Sequence, residues 1–218
     1  MSKHLRIWLF ALLGMLLAST TLLAQGVITM TASKAVGETV KLRIEANGNV
    51  TIEGVKELPQ LGKDKKNYTL TSQTITIHGD VTKLDCSDNQ LTSLDLPKST
   101  VLTELFCFEN KLTSLDVSKN IALTELYCSN NQLTSLNVSR CARLNTLYCD
   151  SNRINGKAMN KLENSLPNRR RKSSGAILLV DNSPEKRDKN RCSPADVTTA
   201  RRKNWEVLKL ESSKIRAF

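Results

Sequence analysis

Six cysteines carry most of the reactive chemistry in this chain, and four of them keep a fixed interval. Cys86, Cys107, Cys128 and Cys149 are each 21 residues after the last. Thiolates that converge on one point bind zinc, and thiols in a secreted chain form disulfides. A fixed interval on parallel neighbouring strands instead sets the sulfurs in a file rather than a tetrahedron. Packing on such strands seldom supplies the torsion a disulfide needs. The four are therefore read as a row of small buried apolar thiols. Cys141 and Cys192 fall outside the row, and a bond between them stays open in a secretory context. Beyond the N-terminal leader the chain keeps one histidine, His78, beside Gly79. No nucleophile is paired with a base, and no glycine-rich phosphate loop is present. The expectation is a protein without enzymatic activity, cofactor or metal.

The cysteines belong to a longer frame. A branched apolar residue lies five positions before each (Val81, Leu102, Leu123, Leu144), and a leucine two before (Leu84, Leu105, Leu126, Leu147). An asparagine follows three positions after (Asn89, Asn110, Asn131, Asn152), and another apolar residue five after (Leu91, Leu112, Leu133, Ile154). Side chains on a strand alternate between faces, so the leucine and the cysteine point inward together. The asparagine should turn the chain out of the strand and satisfy backbone groups of adjacent coils. A second half, seen in Leu112–Ser118, has no helical period and reads as extended or turn-like. Such units bury their apolar face only against their neighbours, which yields an extended surface rather than a closed pocket.

The frame resembles leucine-rich repeats. The 21-residue cysteine ladder is similar to the internalin-like subclass, and Leu112–Asn120 with Leu126–Asn131 resembles secreted and surface repeat proteins of Bacteroidetes. The resemblance extends to a Gly54-containing N-terminal cap and to Asn204–Trp205 in a closing coil. It implies an α/β-type repeat solenoid, an arc with a concave parallel sheet, a β-rich N-terminal cap and helix-containing C-terminal coils. It also implies protein or glycan binding at a host or bacterial surface, in adhesion or host contact.

The rest of the chain divides around the repeats. Residues 1–24 read as a signal peptide: Lys3, His4 and Arg6, then an apolar run from Ile7 to Ala18, then Leu22-Leu23-Ala24 before Gln25. The expected location is secreted, or the outer surface or periplasm of a Gram-negative bacterium. The run is too short for a membrane span. Residues 25–80 read as the β cap, with strands at Thr39–Ile44, Val50–Ile52, Tyr68–Leu70 and Thr74–Ile77. Turns are expected at Asn47-Gly48-Asn49 and Gly79-Asp80, with a charged loop at 63–67. Residues 81–154 hold four repeats and 155–211 longer capping coils, leaving a tail at 212–218. In the coils, Ala158, Met159, Leu162 and Leu166 are spaced for a helix that Pro167 stops. Ala176–Val180 is a strand, Ser193-Pro194 starts a second helix that ends near Asn204, and Val207–Leu210 is the last strand.

Two surfaces could bind. On the concave face one stripe runs Asp85, Phe106, Tyr127, Tyr148, beside a second of Lys83, Glu104, Glu125 and Thr146, with Phe108 beyond the cysteines. Aromatic residues are 4% of the chain, yet four stand here, and exposed aromatic rows suit protein interfaces. Removal of Lys3 and Arg6 with the leader lowers the net charge from +11 to +9. That charge gathers late: residues 165–218 carry 14 Lys/Arg against 6 Asp/Glu, and the repeats are near neutral. Arg169, Arg170, Arg171 and Lys172, with Arg201, Arg202 and Lys203, are the alternative site, for a polyanion such as lipopolysaccharide or glycosaminoglycan. Secretion disfavours nucleic acid as partner.

Overall fold

The computed structural model describes residues 26–97, 99–181, 188–211 and 214–217; the signal peptide expected at 1–24 lies outside them. Apolar residues alternate along most extended segments, and the result is a mixed sheet with few helices. Among the described residues the strands are β1 (Val27–Ala32), β2 (Thr39–Glu53), β3 (Lys66–Thr69), β4 (Thr74–Asp85), β5 (Leu91–Asp95), β6 (Glu104–Phe106), β7 (Glu125–Tyr127), β8 (Thr146–Tyr148), β9 (Gly175–Asp181), β10 (Trp205–Glu211) and β11 (Lys214–Ala217). The helices are α1 (Lys157–Ser165) and α2 (Pro194–Arg202). No helix among them is long and apolar enough to cross a membrane.

The repeats stack in parallel and in register. β4, β6, β7 and β8 align Leu84, Leu105, Leu126 and Leu147 as direct partners, and β9 and β10 continue the parallel order. All four leucines and all four ladder cysteines are fully buried. This is the arrangement expected of repeating coils, with an antiparallel cap on one end.

The cap differs from the sequence reading at its two expected turns. Neither forms. Gly79 and Asp80 lie inside β4, and Asn47–Asn49 lie inside β2. The two signals face each other: Asn47 pairs with Asp80 and Thr51 with His78, so three residues of β2 oppose Gly79 alone. A bulge absorbs the excess. Gly79 has φ of 137°, and a Cβ there would sit 2.8 Å from the Asn49 carbonyl oxygen, so glycine fits the bulge for a local reason. A second slip leaves Thr82 as an extra residue, and it shifts the inward set of β4 from Ile75, Ile77 and Val81 to Leu84. β4 thus serves both cap and first repeat.

β3 begins at Lys66, inside the expected charged loop. Two strands were not anticipated. β1 joins β4 to β5 by antiparallel pairing, and β11 folds the expected tail back onto β10. The C-terminal helices form as expected. Ser193 and Asp196 build a reciprocal capping box at the start of α2, with Pro194 in the first turn.

Candidate functional site

The ladder is a packing device. Burial pushes the Cys86 thiol up to about 12 and the other three well above their ordinary value. A thiol held in that form is a poor metal ligand and nucleophile. Cys86 Sγ donates weakly to the Phe106 carbonyl at 3.5 Å. All six cysteines are free. The pairing of Cys141 with Cys192 is not formed: Cys141 is buried under the coils, and Cys192 is half-buried beside α2.

The asparagines satisfy backbone groups of adjacent coils as expected, but they do not make the turn themselves. Asn110 accepts from the backbone N–H groups of Asn89 and Leu91 at 3.1 and 2.8 Å, and donates to the carbonyls of Cys86 and Cys107 at 3.1 Å. Asn131 and Asn152 repeat the pattern. Asn89 clamps the cap through Lys41, and Asn190 supplies a further rung to Ile154, Cys149 and Leu179. The sharp turn itself sits one residue earlier. Asp88, Glu109, Asn130 and Ser151 have φ of 58°, 53°, 54° and 55°, which L-residues seldom adopt. A second ladder, Ser99, Asn120 and Cys141, also recurs every 21 residues and is buried. Its three residue types differ, which hid it in the sequence.

The aromatic stripe lies on the sheet face opposite the buried leucines. The Phe106 and Tyr127 rings stack at 4.6 Å with 10° between planes, and Tyr148 follows at 4.9 Å, tilted by 59°. The Arg43 guanidinium of β2 lies 5.0 Å from the Phe106 centroid and closes that end of the stack. Phe106 and Tyr127 therefore cover each other's facing sides, whereas the tilt of Tyr148 keeps it out of parallel stacking. All three remain half-buried. Tyr127 is pushed up to about 12, first by desolvation and then by the Glu125 carboxylate beside it.

The flanking residues are less free than the sequence suggested. Glu104 is ion-paired with Lys83 at 2.8 Å. Asp85 is held by Lys65 at 3.0 Å and by the Ser87 hydroxyl, and the Lys65 ammonium sits 5.9 Å from the Phe108 ring. Cap residues thus occupy the Asp85–Phe108 end. Phe106, Tyr127, Tyr148, Glu104 and Glu125 are brought together on one face by the register of β6, β7 and β8.

The basic cluster divides. Arg169 is buried, donates to the Leu144 and Ser173 carbonyls at 3.0 and 3.2 Å, and lies 5.9 Å from the Trp205 ring. Lys203 donates to the Glu163, Asn164 and Leu166 carbonyls at the end of α1, where cations complement the helix dipole. Those two are structural, contrary to the sequence reading. Arg170, Arg171 and Lys172 line a cavity of about 360 Å³ with Asn168. A larger hollow of about 710 Å³ lies between α1 and α2 and includes Lys157, Lys161, Arg191, Cys192 and Asp196. Beneath the helices Glu163 is fully buried with both carboxyl oxygens unpartnered. Burial pushes its pKa to about 8, with Asp196 adding to the rise. Among the described residues no cluster of three His, Cys, Asp or Glu side chains could hold a metal ion.

Compared with known proteins, the chain matches no family model and no curated protein. Among solved structures it is similar to the functional domain of InlJ from Listeria monocytogenes, which includes a cysteine ladder. Identity is 22% over 61% of this chain, with a TM-score of 0.35. The match spans 30% of that chain's length.

Proposed function

We propose that this chain is a secreted leucine-rich-repeat binding module without enzymatic activity, and that it grips a protein partner through the aromatic face of its sheet. The observation that carries the reading is the row of Phe106, Tyr127 and Tyr148 in ring contact along one sheet face. Sugars recognised by aromatic residues lie against ring faces, and here Phe106 and Tyr127 turn theirs to each other. A half-buried aromatic row bordered by the Glu125 carboxylate suits a peptide surface with apolar anchors and basic side chains. A rigid strip of this kind loses little entropy on binding, because its rotamers are already fixed by stacking. Adhesion or host contact is the role such a module would serve at a bacterial surface.

The test is a comparison of two substitutions in one strand. The chain from residue 25 onward is used to capture partners from host and bacterial surface extracts at high salt, and the captured protein is then titrated. Tyr127→Ala should weaken binding by about 2 kcal/mol or more if Tyr127 is an anchor. Leu126→Ala removes an inward side chain and should instead cost about 2–5 kcal/mol of stability. If Tyr127→Ala binds normally and melts as early as Leu126→Ala, the stripe is structural and the proposal fails.

A further inference from the structure

The turn at 168–172 is a separate feature from the sheet face, and it has been built to stand still. Runs of cations on a surface are normally solvated and mobile. This one is fastened from below. Arg169 is buried against Trp205, and its backbone N–H donates to the Lys203 carbonyl at 2.8 Å. The Trp205 indole N–H holds the Pro167 carbonyl at 2.9 Å, and the Asn204 amide holds the carbonyls of Arg169 and Lys172 at 3.2 and 3.0 Å. Gly175 lets strand β9 pass so close that a Cβ would sit 2.8 Å from the Trp205 ring. Above this base the Asn168 side chain accepts from the Arg170 N–H, and Lys172 N–H donates to Arg169 to close the turn.

The consequence is a cavity of about 360 Å³ whose lining is Asn168, Arg170, Arg171 and Lys172. Among the described residues none of its three cations has a carboxylate partner. Arg170 is oriented by its Nε, which donates to the Arg202 carbonyl at 2.7 Å, and its terminal nitrogens stay available. Like charges that line one cavity repel, and an anion placed among them relieves that repulsion. A carboxylate offers two oxygens. A phosphate or sulfate ester offers three and suits the guanidinium fork. No aromatic side chain lines the cavity, so nucleobases have nothing to stack on.

We infer that the 168–172 turn is an oxyanion site that takes a phosphate or sulfate ester from a carrier other than a nucleic acid. The site is independent of the aromatic face, and the two could be engaged together.

The experiment uses the chain from residue 25 onward and three probes: a heparin oligosaccharide for sulfate, a phosphorylated mannooligosaccharide for phosphate, and a single-stranded oligonucleotide as the competing class. Two double variants remove the same charge. R171Q/K172Q alters the exposed cavity cations, and K63Q/K119Q removes two exposed cations from the cap and the repeats. R171Q/K172Q should weaken binding of the preferred glycan about tenfold or more near 0.1 M salt and flatten its salt dependence. K63Q/K119Q should leave binding within about twofold. Preference for either ester supports the site and says which ester it takes. Equal losses in the two variants, or no loss in R171Q/K172Q, would overturn it. Tighter binding of the oligonucleotide than of either glycan would overturn the ligand class.

Discussion

Replacing Glu163 by glutamine should change how the protein's stability depends on pH. Its carboxyl is fully buried between α1 and α2 with neither oxygen in a well-formed hydrogen bond, faces Asp196 across the helix pair, and has the Ala200 backbone N–H near enough to offset part of the rise. Lys203, Cys192 and Cys149 lie near enough to interact with it electrostatically. Burial raises its pKa from 4.5 to about 8 in the folded chain. The folded state then keeps a proton that the unfolded state gives up. Stability from this residue is fully present below pH 4.5 and is lost as pH rises towards 8. Between those values each pH unit favours unfolding by about 1.4 kcal/mol, so the whole window is worth at most about 5 kcal/mol. Water that enters as the helices loosen will lower that figure. Glutamine is close in shape and never ionises. In urea titrations, E163Q and the parent should be similar at pH 5. The variant should then gain on the parent steadily, by roughly 3 kcal/mol at pH 7 and more at pH 8.5. Parallel stability curves from pH 5 to 8.5 would refute the reasoning, because they would mean that Glu163 is hydrated or paired in the folded chain.

Other expectations follow from the ladders and the close-packed base. The four ladder thiols should resist alkylation in the native protein and react on denaturation, and Cys128→Ser should cost about 1–3 kcal/mol in chemical denaturation. Asn131→Ala strips the Leu112 N–H and the Cys107 and Cys128 carbonyls of a buried partner; the loss should exceed about 2 kcal/mol, measured the same way. Gly175→Ala forces a methyl against Trp205 and the Arg169 side chain, and should lower stability by about 1–3 kcal/mol with a blue- or red-shifted tryptophan emission reporting the displacement.

The repeats were legible because four units carry identical chemistry at one spacing. Where identity breaks, the signal fades although the geometry persists. Asn190 makes the same bonds as Asn152, but it comes 38 residues later, since α1 and β9 intervene. Ser99, Asn120 and Cys141 share one place through three side chains. Asn47–Asn49 and Gly79–Asp80 look like turns from local preference, yet pairing across β2 and β4 turns them into a bulge. β1 was passed over although Val27–Ala32 buries alternate residues, Ile28, Met30 and Ala32. The basic run read as uniform, and only tertiary contacts distinguish the buried Arg169 from its exposed neighbours. The aromatic row was visible, but its mutual stacking and the Arg43 lid were not, because β2 reaches the stripe from far along the chain.

The strictly repeated coil also acts as a ruler. Each 21-residue unit between the Asn89 clamp and the Asn190 rung adds one strand, or about 4.8 Å, without introducing a new kind of contact. A duplication or loss of one unit would leave the cap and the basic turn intact. It would add or remove one ring of the row and change how far the turn stands from the Arg43 end of it. If the aromatic face and the basic turn bind as proposed, chains that differ by whole units would hold the same two ends at different separations, so the span between contacts would change in discrete steps.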